Sequence, residues 1–156
     1  MRLVNGSISH ETTKARKVHC WFRVFVFSWP LITGATAQVP RTVWDGAYSD
    51  TQATRGATLY ADRCAACHAD DLSGIDQAAP LVGADFLNAW NDQTVNDLFE
   101  RIRISMPADQ PGSLNRTQVA DAVAFLLKTN GFPAGATDVP TAADDLKALK
   151  ILAKKP

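Results

Sequence analysis

The chain has 156 residues, 46% of them hydrophobic and 21% charged, with Lys+Arg and Asp+Glu balanced at 16 each. That composition fits one small globular domain plus processing segments, with no internal repeat or low-complexity run. The neutral balance excludes the strongly basic surface that nucleic acid or an anionic membrane attracts.

Residues 1–37 have the order of a secretory signal. Arg2, Lys14, Arg16, Lys17 and Arg23 outweigh the single acid Glu11, the uncharged run VFVFSWPLI follows, and Ala35-Thr36-Ala37 supplies the small residues of an A-x-A cleavage site. Cleavage leaves Gln38 first. A retained membrane helix is the competing reading, but a span needs about 20 apolar residues, and this run starts after Arg23 and contains Pro30. Cys20 has no lipobox around it, and no Arg-Arg pair points to the twin-arginine route. With five basic residues and one acid in 1–37, the remainder keeps 11 basic against 15 acidic residues, a formal −4. His10, His19, Cys20 and Met1 also leave with the signal. Cys64, Cys67, His68 and Met106 are then the only thiols, imidazole and thioether of the mature chain. The localisation expected is periplasmic or otherwise extracytoplasmic.

After a flank at 38–48, SDTQATRGATLYADRCAACH reads as a helix. Ser49 and Gln52 have the spacing of a capping box, and Ala53, Gly56, Ala57 and Tyr60 follow the i, i+3, i+4, i+7 spacing of one helix face. The helix delivers Cys64, Cys67 and His68 at its end. Zinc wants four ligands, and no second Cys/His pair closes a tetrahedron. A redox C-x-x-C should follow a strand and open a helix, whereas this one ends a helical pattern. A structural disulfide suits an oxidising compartment but leaves His68 unexplained. C-x-x-C-H is the attachment signature of a c-type haem: two cysteines one helical turn apart reach the vinyl-bearing edges of one porphyrin, and the next residue lies beneath the iron. One covalent haem c is the expected cofactor.

A second helix begins at Thr94, with Asp97 three residues on, and Val95, Leu98, Phe99 and Ile102 form its apolar stripe. It stops at Pro107. Just before that proline stands Met106, 38 residues beyond His68, in ISMPADQPGSL. Pro107, Pro111 and Gly112 prevent helix continuation and stiffen the loop. Methionine at a helix end ordinarily fills core. Beside C-x-x-C-H, a thioether on a stiff strap reads instead as the iron's second axial ligand, opposite His68. A third helix begins near Asn115, with Gln118 as capping partner, and ends at Asn130-Gly131. No strand pattern of comparable length competes, so the fold class expected is all-α, three main helices and loops wrapped around one haem.

These residues resemble the class I c-type cytochromes over about residues 49–131, with an extension at 132–156. In that family a glycine and an aromatic stand eight and four positions before the first cysteine, where the first helix crosses the last. Gly56 and Tyr60 fall there, and Phe125 beside Ala122 looks like the partner on the last helix. The resemblance also implies a proline and leucine, here Pro80 and Leu81, whose backbone carbonyl holds the other ring nitrogen of the proximal histidine. It offers Trp90 as an indole donor to a haem propionate, with a packing role for that residue left open. Filled His/Met ligation implies single-electron transfer between redox proteins, a dehydrogenase as donor and an oxidase or other cytochrome as acceptor, rather than catalysis. A catalytic or sensory haem protein that loses Met106 is the alternative. The mature chain has no second histidine to serve it as acid or base. The flanks TVWDGAYSD and GFPAGATDVPTAADDLKALK resemble those of cytochromes that accompany quinoprotein alcohol dehydrogenases. Trp44 and Tyr48 are also placed to anchor a flank that simply wraps the domain.

Overall fold

The structure is a computed structural model that describes residues 41–156; the secretory-signal reading of 1–37 lies outside the described residues. The described chain runs β1 (Arg41–Thr42), a 3-10 turn at Val43–Asp45, α1 (Asp50–Arg63), α2 (Ala65–His68), α3 (Gly83–Trp90), α4 (Val95–Ser105), α5 (Arg116–Thr129), α6 (Ala143–Lys147) and β2 (Leu149–Lys150).

Two of the three expected capping boxes close in both directions. Thr94 with Asp97 starts α4, and Asn115 with Gln118 starts α5. At α1 only half of the box forms. Ser49 Oγ accepts from the Gln52 backbone N–H, but the Gln52 side chain turns inward, accepts from Val139 N–H at 2.6 Å and donates to Val139 O at 3.4 Å. A buried amide bonded to both backbone groups of one residue leaves none of these desolvated groups unpaired, and that outcompetes a solvent-exposed cap.

The first helix crosses the last at Gly56. A Cβ there would lie 2.7 Å from the carbonyl carbon of Asp121 and 2.8 Å from Phe125 Cβ, so the absent side chain is what lets the two backbones approach. Beside the crossing, Arg55 grips Asp121 in bidentate fashion, Nε to Oδ2 at 3.1 Å and Nη2 to Oδ1 at 2.9 Å, and also reaches Asp138 at 3.0 Å. Val119, Ala120, Val123, Ala124 and Leu127 bury the inner face of α5.

Residues 132–156 belong to the same core as the helices. Leu146, Leu149 and Ile151 are buried, and Ile151 exchanges backbone hydrogen bonds with Asp92 and Gln93 ahead of α4. The N-terminal flank closes over the tail. Tyr48 donates its hydroxyl to Phe132 O at 2.7 Å, Trp44 packs edge-on against Phe132 and donates its indole N–H to Leu152 O, and β1 pairs in parallel with β2. This two-residue ladder is a strand pairing too short for alternation in the sequence to announce. Helix α3 was also unannounced: its N-cap, Val82, offers no side-chain acceptor, so the usual start signal is missing.

Candidate functional site

The cysteines sit where α1 gives way to α2. Cys64 N–H still bonds to Tyr60 O, but its φ of −125° turns the chain, and the single helix expected through His68 becomes two. His68 N–H and Cys67 N–H both bond to Cys64 O, which holds the three side chains within one turn. Cys64 is half-buried, Cys67 is exposed, and both are free thiols. Burial pushes the Cys64 thiol up from its ordinary value, with Arg63 opposing. A reactive redox cysteine needs the opposite, a depressed pKa at a helix N-terminus. Among the described residues no group of three His, Cys, Asp or Glu side chains converges as a metal cluster would.

His68 Nδ1 lies 2.9 Å from the carbonyl oxygen of Ala79. A carbonyl only accepts, so in the neutral ring Nδ1 carries the proton and Nε2 keeps its lone pair for a metal. The resemblance had pointed to the carbonyl at Pro80 and Leu81; the acceptor is one residue earlier. Pro80 acts on it from the other side of the same amide, because its ring disfavours the helical region for Ala79.

The loop from 69 to 81 is folded back tightly to make that contact. Gly74 N–H bonds to His68 O, Ile75 N–H to Cys67 O and Leu81 N–H to Leu72 O. Three non-glycine residues in it take positive φ, Ala69 at 63°, Leu72 at 64° and Asp76 at 52°. Ala69, with ψ of 160°, occupies a region that L-residues enter only when their surroundings hold them there.

Met106 is the C-cap of α4, half-buried, its N–H bonded to Ile102 O. The strap that follows turns twice, Gln110 N–H to Pro107 O and Ser113 N–H to Gln110 O. Arg63, next to Cys64, reaches that strap through Gln110 at 3.3 Å and Ser113 at 3.2 Å. The cysteine end of α1 and the Met106 strap are thereby neighbours. Trp90 ends α3, half-buried and tilted against Phe86 at 6.4 Å. Leu81, Val82, Leu87 and Ile102 likewise pack on the core while remaining partly open, and Ile75 is 47% exposed. That apolar surface, two free thiols and an imidazole with Nδ1 engaged together fit a haem.

Residues 51–126 match the family described as Cytochrome C oxidase, cbb3-type, subunit III. This stretch is a cytochrome c domain. The cytochrome c domain runs from α1 through Cys64, Cys67 and His68, past Met106 and into α5, and its fold is the all-α cytochrome c fold. Such a domain binds haem and transfers electrons. Among solved structures, a chain of the sulfane dehydrogenase SoxCD from Paracoccus pantotrophus is 26% identical over 61% of this chain and 55% of that one, with a TM-score of 0.43. The chain thus spans about half the length of that relative. No curated protein matches it.

Sequence reasoning missed the roles of Ala79, Ala69 and Arg63. Ala79 had a signal, since the residue before a proline presents its carbonyl from an extended segment. Ala69 had none, because alanine in a left-handed turn is set by the contacts around it.

Proposed function

We propose that the chain is an exported, soluble monohaem electron carrier, with haem c bonded through Cys64 and Cys67 and its iron held by His68 and Met106. The observation that carries this reading is His68 Nδ1 on Ala79 O at 2.9 Å, directly after the two free cysteines. That hydrogen bond fixes the tautomer, orients the ring and strengthens Nε2 as a donor.

When bound, haem supplies the one-electron couple. The chain's residues set its properties. Cys64 and Cys67 anchor the group to the end of α1. Met106 offers a neutral, soft donor that does little to stabilise the extra charge of the ferric state, so the potential rises. Leu81, Val82, Leu87 and Ile102 exclude water, and the Trp90 indole N–H is available to a propionate. Were His68 and Met106 both to hold the iron, no position would be left for a substrate, which favours transfer over catalysis.

Residues 1–37 support export as a cleaved signal. No helix among the described residues is long and apolar enough to cross a membrane. The partners proposed are redox proteins, a dehydrogenase as donor and an oxidase or other cytochrome as acceptor, with no nucleic acid. An electron-accepting subunit of a quinoprotein dehydrogenase rests on the flanks, whose packing on each other, Trp44 on Leu152 and Tyr48 on Phe132, already accounts for Trp44 and Tyr48.

The test is a denaturing gel stained for haem peroxidase activity. Wild type should keep its stain, and Cys64→Ala/Cys67→Ala should lose it. A stain surviving in the double variant overturns the attachment.

A further inference from the structure

Tyr60 is 5% exposed and its ring packs on Phe125 of α5 at 5.1 Å. Packing alone would be served by phenylalanine. The hydroxyl, however, donates to Ala69 O at 2.6 Å, reaching from α1 to the residue that follows His68. Ala69 is the strained position, φ 63° and ψ 160°. Its carbonyl accepts a second bond from Leu72 N–H at 3.2 Å, within its own loop. Gly74 and Ile75 tie the later part of the loop to α2, whereas the Tyr60 hydroxyl ties the Ala69 carbonyl itself to α1.

We infer that Tyr60 is a positioning residue for His68: its hydroxyl, by holding the Ala69 carbonyl, keeps the backbone in the left-handed turn that sets the His68 ring plane. This rests on the haem reading above. The path is rigid at each step, from α5 through Phe125 to the Tyr60 ring, then through the short hydrogen bond to Ala69 and the adjoining His68. Burial pushes the Tyr60 phenol up to about 12, so it remains a donor across the neutral range. Without the hydroxyl, Ala69 is free to leave a region disfavoured for L-residues, and the peptide that follows His68 rotates with it. A glycine at 69 occupies the same region without that penalty and holds the turn unaided.

The experiment compares wild type, Tyr60→Phe, Ala69→Gly and the double variant as ferric holoproteins, reading the hyperfine-shifted haem methyl resonances, whose spread depends on the plane of the axial imidazole. Tyr60→Phe should redistribute the four methyl shifts, Ala69→Gly should leave them as in wild type, and the double variant should return to the wild-type pattern. Ala69→Gly alone should also lower the unfolding equilibrium constant about five-fold or more through relieved strain. An unchanged pattern in Tyr60→Phe, or a changed one that glycine at 69 does not restore, overturns the inference. So does a less stable Ala69→Gly. Each protein is stained for covalent haem beforehand. A wild type without stain contradicts the haem reading itself, whereas stained proteins whose methyl pattern ignores residue 60 contradict only the role of Tyr60.

Discussion

Gly56→Ala tests the crossing that aims the cysteines. Ordinary carbon contact begins near 3.4 Å, and the added Cβ would stand 2.7 Å from the Asp121 carbonyl carbon and 2.8 Å from Phe125 Cβ. Helix α5 must therefore retreat by at least 0.7 Å, the difference between 3.4 and 2.7 Å. The obstacle is backbone, which no rotamer change relieves. Overpacking a tight core costs about 1–3 kcal/mol, occasionally more. Alanine's helix propensity returns about 1 kcal/mol, and the retreat also loosens the Arg55 grip on Asp121. Because the obstacle is backbone, the clash sits at the upper end of that range, and a net destabilisation of about 2 kcal/mol follows, or a fall in Tm of roughly 8 °C for a domain of this size. Thermal and urea unfolding of the holoprotein measure it. Because Tyr60 and Cys64 lie one and two turns further along α1, the haem spectrum should change as well. A variant within about 0.5 kcal/mol of wild type, with an unaltered spectrum, would refute the claim that α1 and α5 touch at this glycine.

Met106→Ala should lower the midpoint potential, abolish the long-wavelength sulfur band of the ferric form and allow carbon monoxide to bind; an unchanged potential removes Met106 from the iron. Leu146→Ala, at a fully buried site beside α4, should destabilise by about 2–5 kcal/mol, whereas a C-terminal segment serving only as a tether would lose little. Asp138 is held below the ordinary carboxylate range by hydrogen bonds from Ser49 and then Arg55. A depressed folded pKa contributes stability that is present above the unfolded value and lost as pH falls through the folded one, so Asp138→Asn should flatten the acid limb below about pH 4. The group is half exposed, which keeps the effect under about 1 kcal/mol; an effect confined to neutral pH would contradict it. Mass spectrometry of the exported protein should show a chain beginning at Gln38 plus one haem, and a chain retaining Trp21 to Pro30 would argue for an anchor.

The helices that carry the site were legible because their signals are local. Thr94 with Asp97 and Asn115 with Gln118 mark starts, and Pro107 and Asn130-Gly131 mark stops, within a residue or two of the observed bounds. The C-x-x-C-H motif is contiguous, so its geometry follows from one helical turn. What escaped the sequence was non-local. Gln52 turns from its cap because Val139 presents both backbone groups to it, 87 residues away. Leu146, Leu149 and Ile151 find their burial against α4 only after the tail has folded back, and the acceptor for His68 depends on how a loop with three left-handed residues closes. The resemblance located that acceptor to within one residue, and the hydrogen bond decided which.

That a haem held on both sides by His68 and Met106 carries a single electron, as proposed, is put to the test by an optical redox titration of the holoprotein. One reversible one-electron transition is expected, about 59 mV per decade, during which the sulfur band fades and carbon monoxide leaves the reduced spectrum unchanged. A protein that shows no such transition, or that takes up carbon monoxide at once when reduced, would contradict it.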